Sequence, residues 1–247
     1  MIVFDHIGRY SLLMKKVFSR PEKSKIYLNQ IVKEIDKLGI SSIGIVVVIS
    51  VFMGAVITIQ TGYNIESPFI PRYLIGLTTR DSMILEFSST IVSLILAGKV
   101  GSNIASEIGT MRVTEQIDAL EIMGINSASF LILPKIIASL LINPFLVIIS
   151  IFIGIIGGWI GGTVLTSVIS VMDYVRGLQY YFIPYYITYT LIKTEVFAFI
   201  ITSVSSYCGY YTTGGALEVG RSSTKAVVYS SVLILLFNLL LTQLLLS

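Results

Sequence analysis

Ile43-Gly-Ile-Val-Val-Val-Ile-Ser-Val-Phe-Met-Gly-Ala-Val-Ile-Thr-Ile59 is an almost unbroken apolar run, closed by Gln60. A helix needs about 20 mostly apolar residues to cross the hydrocarbon core of a bilayer, and this run approaches that length. Peptide groups inside lipid find no water, so a spanning segment of this kind must be a helix that satisfies its own backbone. Four more regions share its character. Ser82 to Gly98 is the least apolar, since it holds Glu86 and several serines; Phe130 to Ile160 is very apolar; Phe182 to Tyr207 carries Lys193 and Glu195; Ala226 to Leu246 ends the chain. The sequence therefore predicts an all-α integral membrane protein with about five transmembrane helices, near 43–60, 82–98, 130–160, 182–207 and 226–246.

Composition points the same way. Of 247 residues, 54% are hydrophobic and only 13% charged, and the mean hydropathy is +0.86. A soluble domain carries about 25% charged residues, so the polar surface here is too small to solvate a globule of this length. No polar stretch is long enough for a separate soluble domain. Residues 1–39 read as a cytoplasmic interfacial segment and 40–247 as one membrane domain. The lone cysteine, Cys208, sits in an apolar run, and the lone histidine, His6, lies near the N-terminus. That pattern argues against a disulfide, a metal site and histidine-based catalysis. The N-terminus lacks a basic segment followed by an apolar core, so no cleavable signal peptide is expected. The net charge, +3, is modest, and no nucleic-acid partner is expected.

The positive charges give the orientation. Arg9, Lys15, Lys16, Arg20, Lys23, Lys25, Lys33 and Lys37 precede the first span; Lys99, Arg112 and Lys135 flank the loop between spans two and three; Arg221 and Lys225 precede span five. The opposite side has only Arg72, Arg80 and Arg176. Thirteen against three places the N-terminus in the cytoplasm and the C-terminus outside. Tyr180, Tyr181, Tyr185 and Tyr186 at one end of span four, with Tyr207, Tyr210 and Tyr211 at the other, suit the two interfacial aromatic belts.

Two regions carry further local signals. Phe130 to Ile160 is longer than one span needs and contains Pro134 and Pro144, which predicts a kink or break; its excess length suits a short extra helix or re-entrant piece. Gly154, Gly158 and Gly162 put small residues on one helical face, which permits close helix contact. In the N-terminal segment, Ser19 and Glu22 have capping-box spacing around Pro21. Leu28, Ile31, Ile35 and Leu38 then share a face, and Gly39 suits a helix stop. Two readings fit that helix: it lies in the cytoplasmic membrane interface, or it packs on the spans.

The most informative stretch lies on the cytoplasmic side, between spans two and three. Val113, Ile117 and Leu120 form a short apolar stripe at helical spacing, with Glu115, Asp118 and Glu121 as an acidic stripe beside it. Gly109 and Gly124 flank it as breaker and C-cap. Such a helix is too short to span and too acidic to favour an anionic leaflet. It is either a docking element for another cytoplasmic protein or a solvated connector.

The run Glu107-Ile-Gly-Thr-Met-Arg-Val-Thr-Glu-Gln-Ile-Asp-Ala-Leu-Glu121 closely resembles the signature of the MlaE permease family, the YrbE or Tgd-type lipid ABC permeases. A second match is Gly214 to Val228 before the last span, and a third is Ile192-Lys193-Thr194. Their order, spacing and the five-span plan extend the resemblance over nearly the whole chain; the outer loops Thr61 to Arg80 and Thr163 to Tyr181 carry no usable signature. The resemblance implies the permease subunit of an ABC-type transporter in the bacterial inner membrane. It would pair with a second copy of itself and with cytoplasmic ABC ATPase subunits, and exchange phospholipid with a periplasmic MCE-domain protein. Glu107, Thr110, Met111, Arg112, Thr114, Glu115, Gln116, Asp118 and Ala119 are then the ATPase-coupling residues.

This chain has no Gly-x4-Gly-Lys-Ser/Thr phosphate loop. The resemblance thus implies a non-enzymatic subunit without a cofactor of its own, with ATP and Mg bound by the partner ATPase. Ionisable residues in or beside the spans are costly and often functional, which singles out Glu86, Lys99, Lys193, Glu195, Arg221 and Lys225 for lipid contacts or polar contacts within the membrane. For Lys193 and Glu195, mutual neutralisation is the alternative. The competing functional class is a stand-alone secondary transporter or channel using Glu86 or Lys193; the lack of an internal inverted repeat argues against it.

Overall fold

A computed structural model of the chain describes residues 2–19, 24–65 and 69–246. Every regular element among them is helical. In chain order they are α1 (Ile2–Val17), α2 (Ser24–Glu34), α3 (Ile43–Asn64), α4 (Tyr73–Ser82), α5 (Val92–Leu96), α6 (Ser102–Val113), α7 (Gln116–Ile122), α8 (Ser127–Trp159), α9 (Val171–Gln179), α10 (Tyr185–Tyr210) and α11 (Ala216–Leu246). Five continuous helical runs are long and apolar enough to cross a bilayer: Tyr27–Asn64, Tyr73–Val113, Ser127–Leu165, Tyr185–Tyr210 and Ala216–Leu246. These are the five expected spans, and the chain is an all-α multi-pass membrane protein. The joints inside the longer runs are wide π turns at Ile35–Gly39, Met83–Ile91, Ala97–Gly101 and Ile160–Leu165, and a 3-10 turn at Ile40–Ser42. Such turns concentrate at functional sites, and Glu86 and Lys99 each lie in one.

Several local expectations change. Gly39 does not stop a helix: the chain passes from α2 through two irregular turns straight into α3. Gly39 is buried, and a Cβ there would collide with the Ile142 side chain, so its role is close packing. Of the four residues expected to share a face along α2 and the turn after it, Leu38 is buried and Ile31 and Ile35 half-buried, but Leu28 is 62% exposed. Tyr27 takes the inward place instead, its hydroxyl 2.8 Å from Ser129 Oγ. The expected capping box depends on Pro21 and Glu22, which lie outside the described residues.

Pro134 and Pro144 do not break the third span. The helix α8 runs through both, and the excess length extends it to Leu165 in place of a separate piece. A proline removes one intrahelical bond, but in lipid the remaining peptide groups have no better partner than the helix. Helix α1 was not anticipated, nor were α4 and α9, which begin inside regions read as outer loops. Helix α9 starts at Ser170, whose Oγ accepts from Asp173 N at 3.1 Å.

Packing divides the chain into two compact units. One comprises Met1–Ser41, Ser93–Asn143 and Glu195–Leu244; the other comprises Ser42–Val92, Pro144–Thr194 and Leu245–Ser247. In the second, the small-residue face of α8 works as its spacing predicted. A Cβ at Gly158 would meet Thr58 Oγ1 and Tyr174 OH, one at Gly154 would meet the end of Met83, and one at Gly162 would meet Thr58 Cγ2. Gly157 adds a contact on the Val51 backbone. Helix α9 lies on α4 through Gly177 and Gly76, so closely that backbone touches backbone. Arg80, nearly buried, donates to the carbonyls of Leu178 and Tyr180, both at 2.8 Å, and pairs with Asp81.

In the first unit, α1 seats Leu13 and Val17 in the core. Tyr10 OH donates to Ser203 Oγ on α10 at 2.9 Å, and His6 Nδ1 lies 2.7 Å from Tyr207 OH. Helices α6 and α10 approach through Gly209, whose Cβ would meet the Ala105 carbonyl. Ser106 and Ser223 join α6 to α11 at 2.7 Å.

Candidate functional site

The corner between α6 and α7 is made by backbone conformation. Thr114 leaves the helix at φ −89°, and Glu115 adopts the left-handed conformation at φ 59°. A non-glycine residue there is uncommon and disfavoured. The expected breaker, Gly109, breaks nothing: α6 runs through it, and it lies buried against Thr212 and Val219. Gly124 does act as the C-cap. At φ 78° it lets Ile125 N bond Leu120 O at 3.0 Å and its own N–H bond Glu121 O at 3.0 Å, the double bond pattern of a Schellman motif.

Helix α7 is held on its inner side at three points. Ile117 is fully buried. Across the corner, Arg112 Nη1 donates to Asp118 Oδ1 at 2.6 Å. At the far end, Glu121 Oε1 accepts from Ser127 Oγ at 2.9 Å and from Tyr210 OH at 3.0 Å. Those bonds, from Ser127 first and Tyr210 next, outweigh partial burial and hold the Glu121 carboxyl below its ordinary range. The acidic stripe is thus divided in use: Asp118, in an ion pair, and Glu121, bonded by two hydroxyls, are anchors, and Glu115 stands exposed. The outer face presents Thr114, Glu115, Gln116 and Ala119, and ends in an apolar tip: Ile122 is 88% and Met123 66% exposed. A short helix fixed at three points and offering an acid beside an apolar tip is a rigid knob suited to a cleft in another protein.

Glu107, about two turns before this corner, faces a different neighbourhood. Its Oε2 lies 2.7 Å from Lys37 Nζ and 2.8 Å from Lys135 Nζ, and Lys135 reaches Glu34 Oε1 at 2.6 Å. The Lys135 side chain is only 4% exposed, so two carboxylates offset the penalty of its burial. This four-residue chain ties the segment after α2 to α6 and α8.

Comparison with known proteins decides the family. Residues 31–244 match the model of the family described as Permease MlaE. The chain belongs to the MlaE permease family. It is similar to a probable ABC transporter permease protein of Rickettsia bellii, 37% identical over 238 residues, covering 96% of this chain and 91% of that protein. The chloroplastic protein trigalactosyldiacylglycerol 1 of Arabidopsis thaliana is 33% identical over 235 residues, covering 94% of this chain and 66% of that protein. The intermembrane phospholipid transport system permease protein MlaE of Haemophilus influenzae is 28% identical over 240 residues, covering 97% and 91%. The chain is an ABC transporter permease of this family.

In this MlaE permease, the residues picked out by sequence fall into separate places. Arg112, Thr114, Glu115, Gln116, Asp118 and Ala119 build the knob; Thr110 is exposed just before it and Met111 half-buried. Glu107 belongs to the lysine network. Within the spans, Lys193 pairs with Glu86, at 2.9 Å, and not with Glu195; its Nζ also donates to Tyr189 OH at 3.0 Å and Leu85 O at 3.2 Å. Residues two apart on a helix do not face each other, which is why Glu195, half-buried, is no counter-ion. Lys99 donates to the carbonyl of Ser41. Arg221 pairs with Glu218 at 2.5 Å, and Lys225 is exposed. The sequence reading missed Ile122 and Met123; an apolar pair directly before the capping Gly124, off the stripe, was the available signal.

Proposed function

We propose that this chain is the transmembrane subunit of an ABC-type transporter that moves phospholipids between the bacterial inner membrane and a periplasmic MCE-domain protein. Separate cytoplasmic ATPase subunits power it, and they hold the ATP and Mg. The observation that carries this reading is the knob at α7, fixed at three points and exposing Glu115, Ile122 and Met123. ATPase closure has to pass into the spans through something stiff, and a short capped helix bonded through Glu121 to Ser127, the first residue of span three, is such an element. The phospholipid cargo is supported by the function named for the Haemophilus influenzae relative. Two copies of the chain form the membrane part. The N-terminus and α7 face the cytoplasm and the C-terminus faces the periplasm, as the thirteen-to-three distribution of positive charge requires. Residues 1–39 lie against the cytoplasmic interface: α1 buries Leu13 and Val17 while leaving Phe4, Ile7 and Phe18 exposed beside Arg9, Lys15 and Lys16. Residues 40–247 form the membrane domain.

Co-expression with the ATPase subunits tests the reading. Wild-type chain is expected to retain the ATPase through purification and to have no ATPase activity alone. Glu115→Lys and Ile122→Asp are expected to release the ATPase and stop lipid transport while the chain still inserts. If both variants keep ATPase and transport unchanged, α7 is not the docking element. If liposomes holding this chain alone show gradient-driven flux, the stand-alone transporter is the correct class.

A further inference from the structure

We propose that the exposed face of α11 at Arg221, Thr224 and Lys225 binds the phosphate of an anionic phospholipid, held as a resident lipid and distinct from any cargo. Arg221, Lys225 and Tyr229 recur every four residues, so they share one face with Thr224 and Val228, and together these five form an open patch on the helix surface. The patch sits where the helix changes character: the polar turns end at Lys225, and the apolar stretch to Leu246 begins at Ala226. In a chain with five spans, that boundary is the level of lipid headgroups.

The polar groups are placed for a phosphate. Among the described residues, neither Lys225 Nζ nor Tyr229 OH has a hydrogen-bond partner. One edge of the Arg221 guanidinium is held by Glu218 at 2.5 Å, which orients its remaining N–H groups. Thr224, exposed, donates its hydroxyl to Gly220 O at 3.2 Å. With Glu218 offsetting Arg221, the patch carries one surplus positive charge, which one phosphodiester anion balances. Beyond Tyr229 the same face continues as exposed Val232, Leu235 and Leu239, a strip along which an acyl chain can lie. A second copy fits this end of the face less well. A two-fold contact sets a patch against itself, so Arg221 and Lys225 would meet their own like charges.

Lipid retention by the purified full-length chain tests this without ATP or any partner, so its failure leaves the transport reading untouched. Native mass spectrometry of the detergent-purified protein, titrated with phosphatidylglycerol or phosphatidylcholine, is the measurement. Wild type is expected to retain phosphatidylglycerol several-fold better. Arg221→Ala and Lys225→Ala are each expected to weaken it about fivefold, the worth of one basic side chain at an anionic surface. Lys225→Arg restores retention, and Lys15→Ala, an exposed cation on α1, leaves it unchanged. Three results would overturn the proposal. The first is equal phosphatidylglycerol retention in the Arg221→Ala/Lys225→Ala double variant. The second is displacement of the lipid by millimolar inorganic phosphate, which would make the site one for free phosphate. The third is efficient cross-linking between copies through Val232→Cys in a Cys208→Ser background, which would put a second chain on this face.

Discussion

Lys193 Nζ and Glu86 Oε1 meet at 2.9 Å, with no part of the lysine side chain exposed. A charge so placed is neutralised by one carboxylate and by two further oxygens, from Tyr189 and Leu85. Removing one partner of a buried pair leaves the other charge uncompensated, at about 3–5 kcal/mol. Glu86 is 39% exposed, so Glu86→Gln is expected at or below the lower end of that range. Glu86→Leu combined with Lys193→Met is expected to recover most of the loss. Thermal unfolding of the four proteins in one detergent closes the cycle; additive single losses would show that the pair is not coupled.

The corner residue separates a structural role from a docking role. Glu115 holds φ 59°, a conformation that asparagine tolerates and β-branched residues resist. Glu115→Val is expected to lower stability by about 1–2 kcal/mol, and Glu115→Asn to leave it unchanged. Both remove the acid, so both are expected to weaken ATPase retention alike. Parallel thermal melts and co-purification yields check this.

The anchor at Glu121 gives a pH dependence of known sign. Its folded carboxyl lies below the ordinary value of 4.5 because the Ser127 and Tyr210 hydroxyls bond the charged form. A depressed carboxyl contributes stability that is complete above its unfolded value and drains away as pH falls through its folded value. The stability difference between wild type and Glu121→Gln is therefore expected to be constant from pH 7 to about pH 5 and to shrink below 4.5. A difference that grows on acidification would contradict the assigned bonds.

The glycine seam of α8 predicts an ordering. At Gly157 a Cβ would meet the backbone of Val51, which cannot step aside; at Gly154 it would meet the terminal methyl of Met83, which can. Gly157→Ala is expected to destabilise by about 1–3 kcal/mol, and Gly154→Ala by clearly less. Gly220→Ala on α11, with open space around it, is expected to raise stability by about 0.5–1 kcal/mol. Thermal midpoints in a common detergent rank the three.

The spans were legible because lipid imposes one rule on every residue of a run, and Ile43 to Ile59 obeys it without exception. The short helix α7 was legible for a related reason: Ile117 and Gly124 mark a buried contact and a cap that depend on near neighbours only. What failed depends on distant partners. Gly39 and Gly109 resemble stops until Ile142 and Val219 are seen against them. The α6–α7 corner turns on the conformation of Glu115, and glutamate advertises no preference for it. The prolines of α8 are tolerated because the solvent is lipid, where the helix has no competitor. The counter-ion of Lys193 lies 107 residues away, beyond any local pattern, although spacing alone rules out Glu195.

The chain of charges through Glu34, Lys135, Glu107 and Lys37 also sets a schedule for biogenesis. Glu34 and Lys135 are separated by 101 residues. At roughly 5–20 residues per second, the ribosome delivers the lysine several seconds after the glutamate. During that interval span one and span two have entered the bilayer, while Glu34 and Lys37 still await Lys135 and Glu107. The N-terminal segment can settle into its final seat only after Lys135 of span three and then Ser203 and Tyr207 of span four have followed it out of the ribosome, so the first-made part of this unit waits for some of its last-made partners.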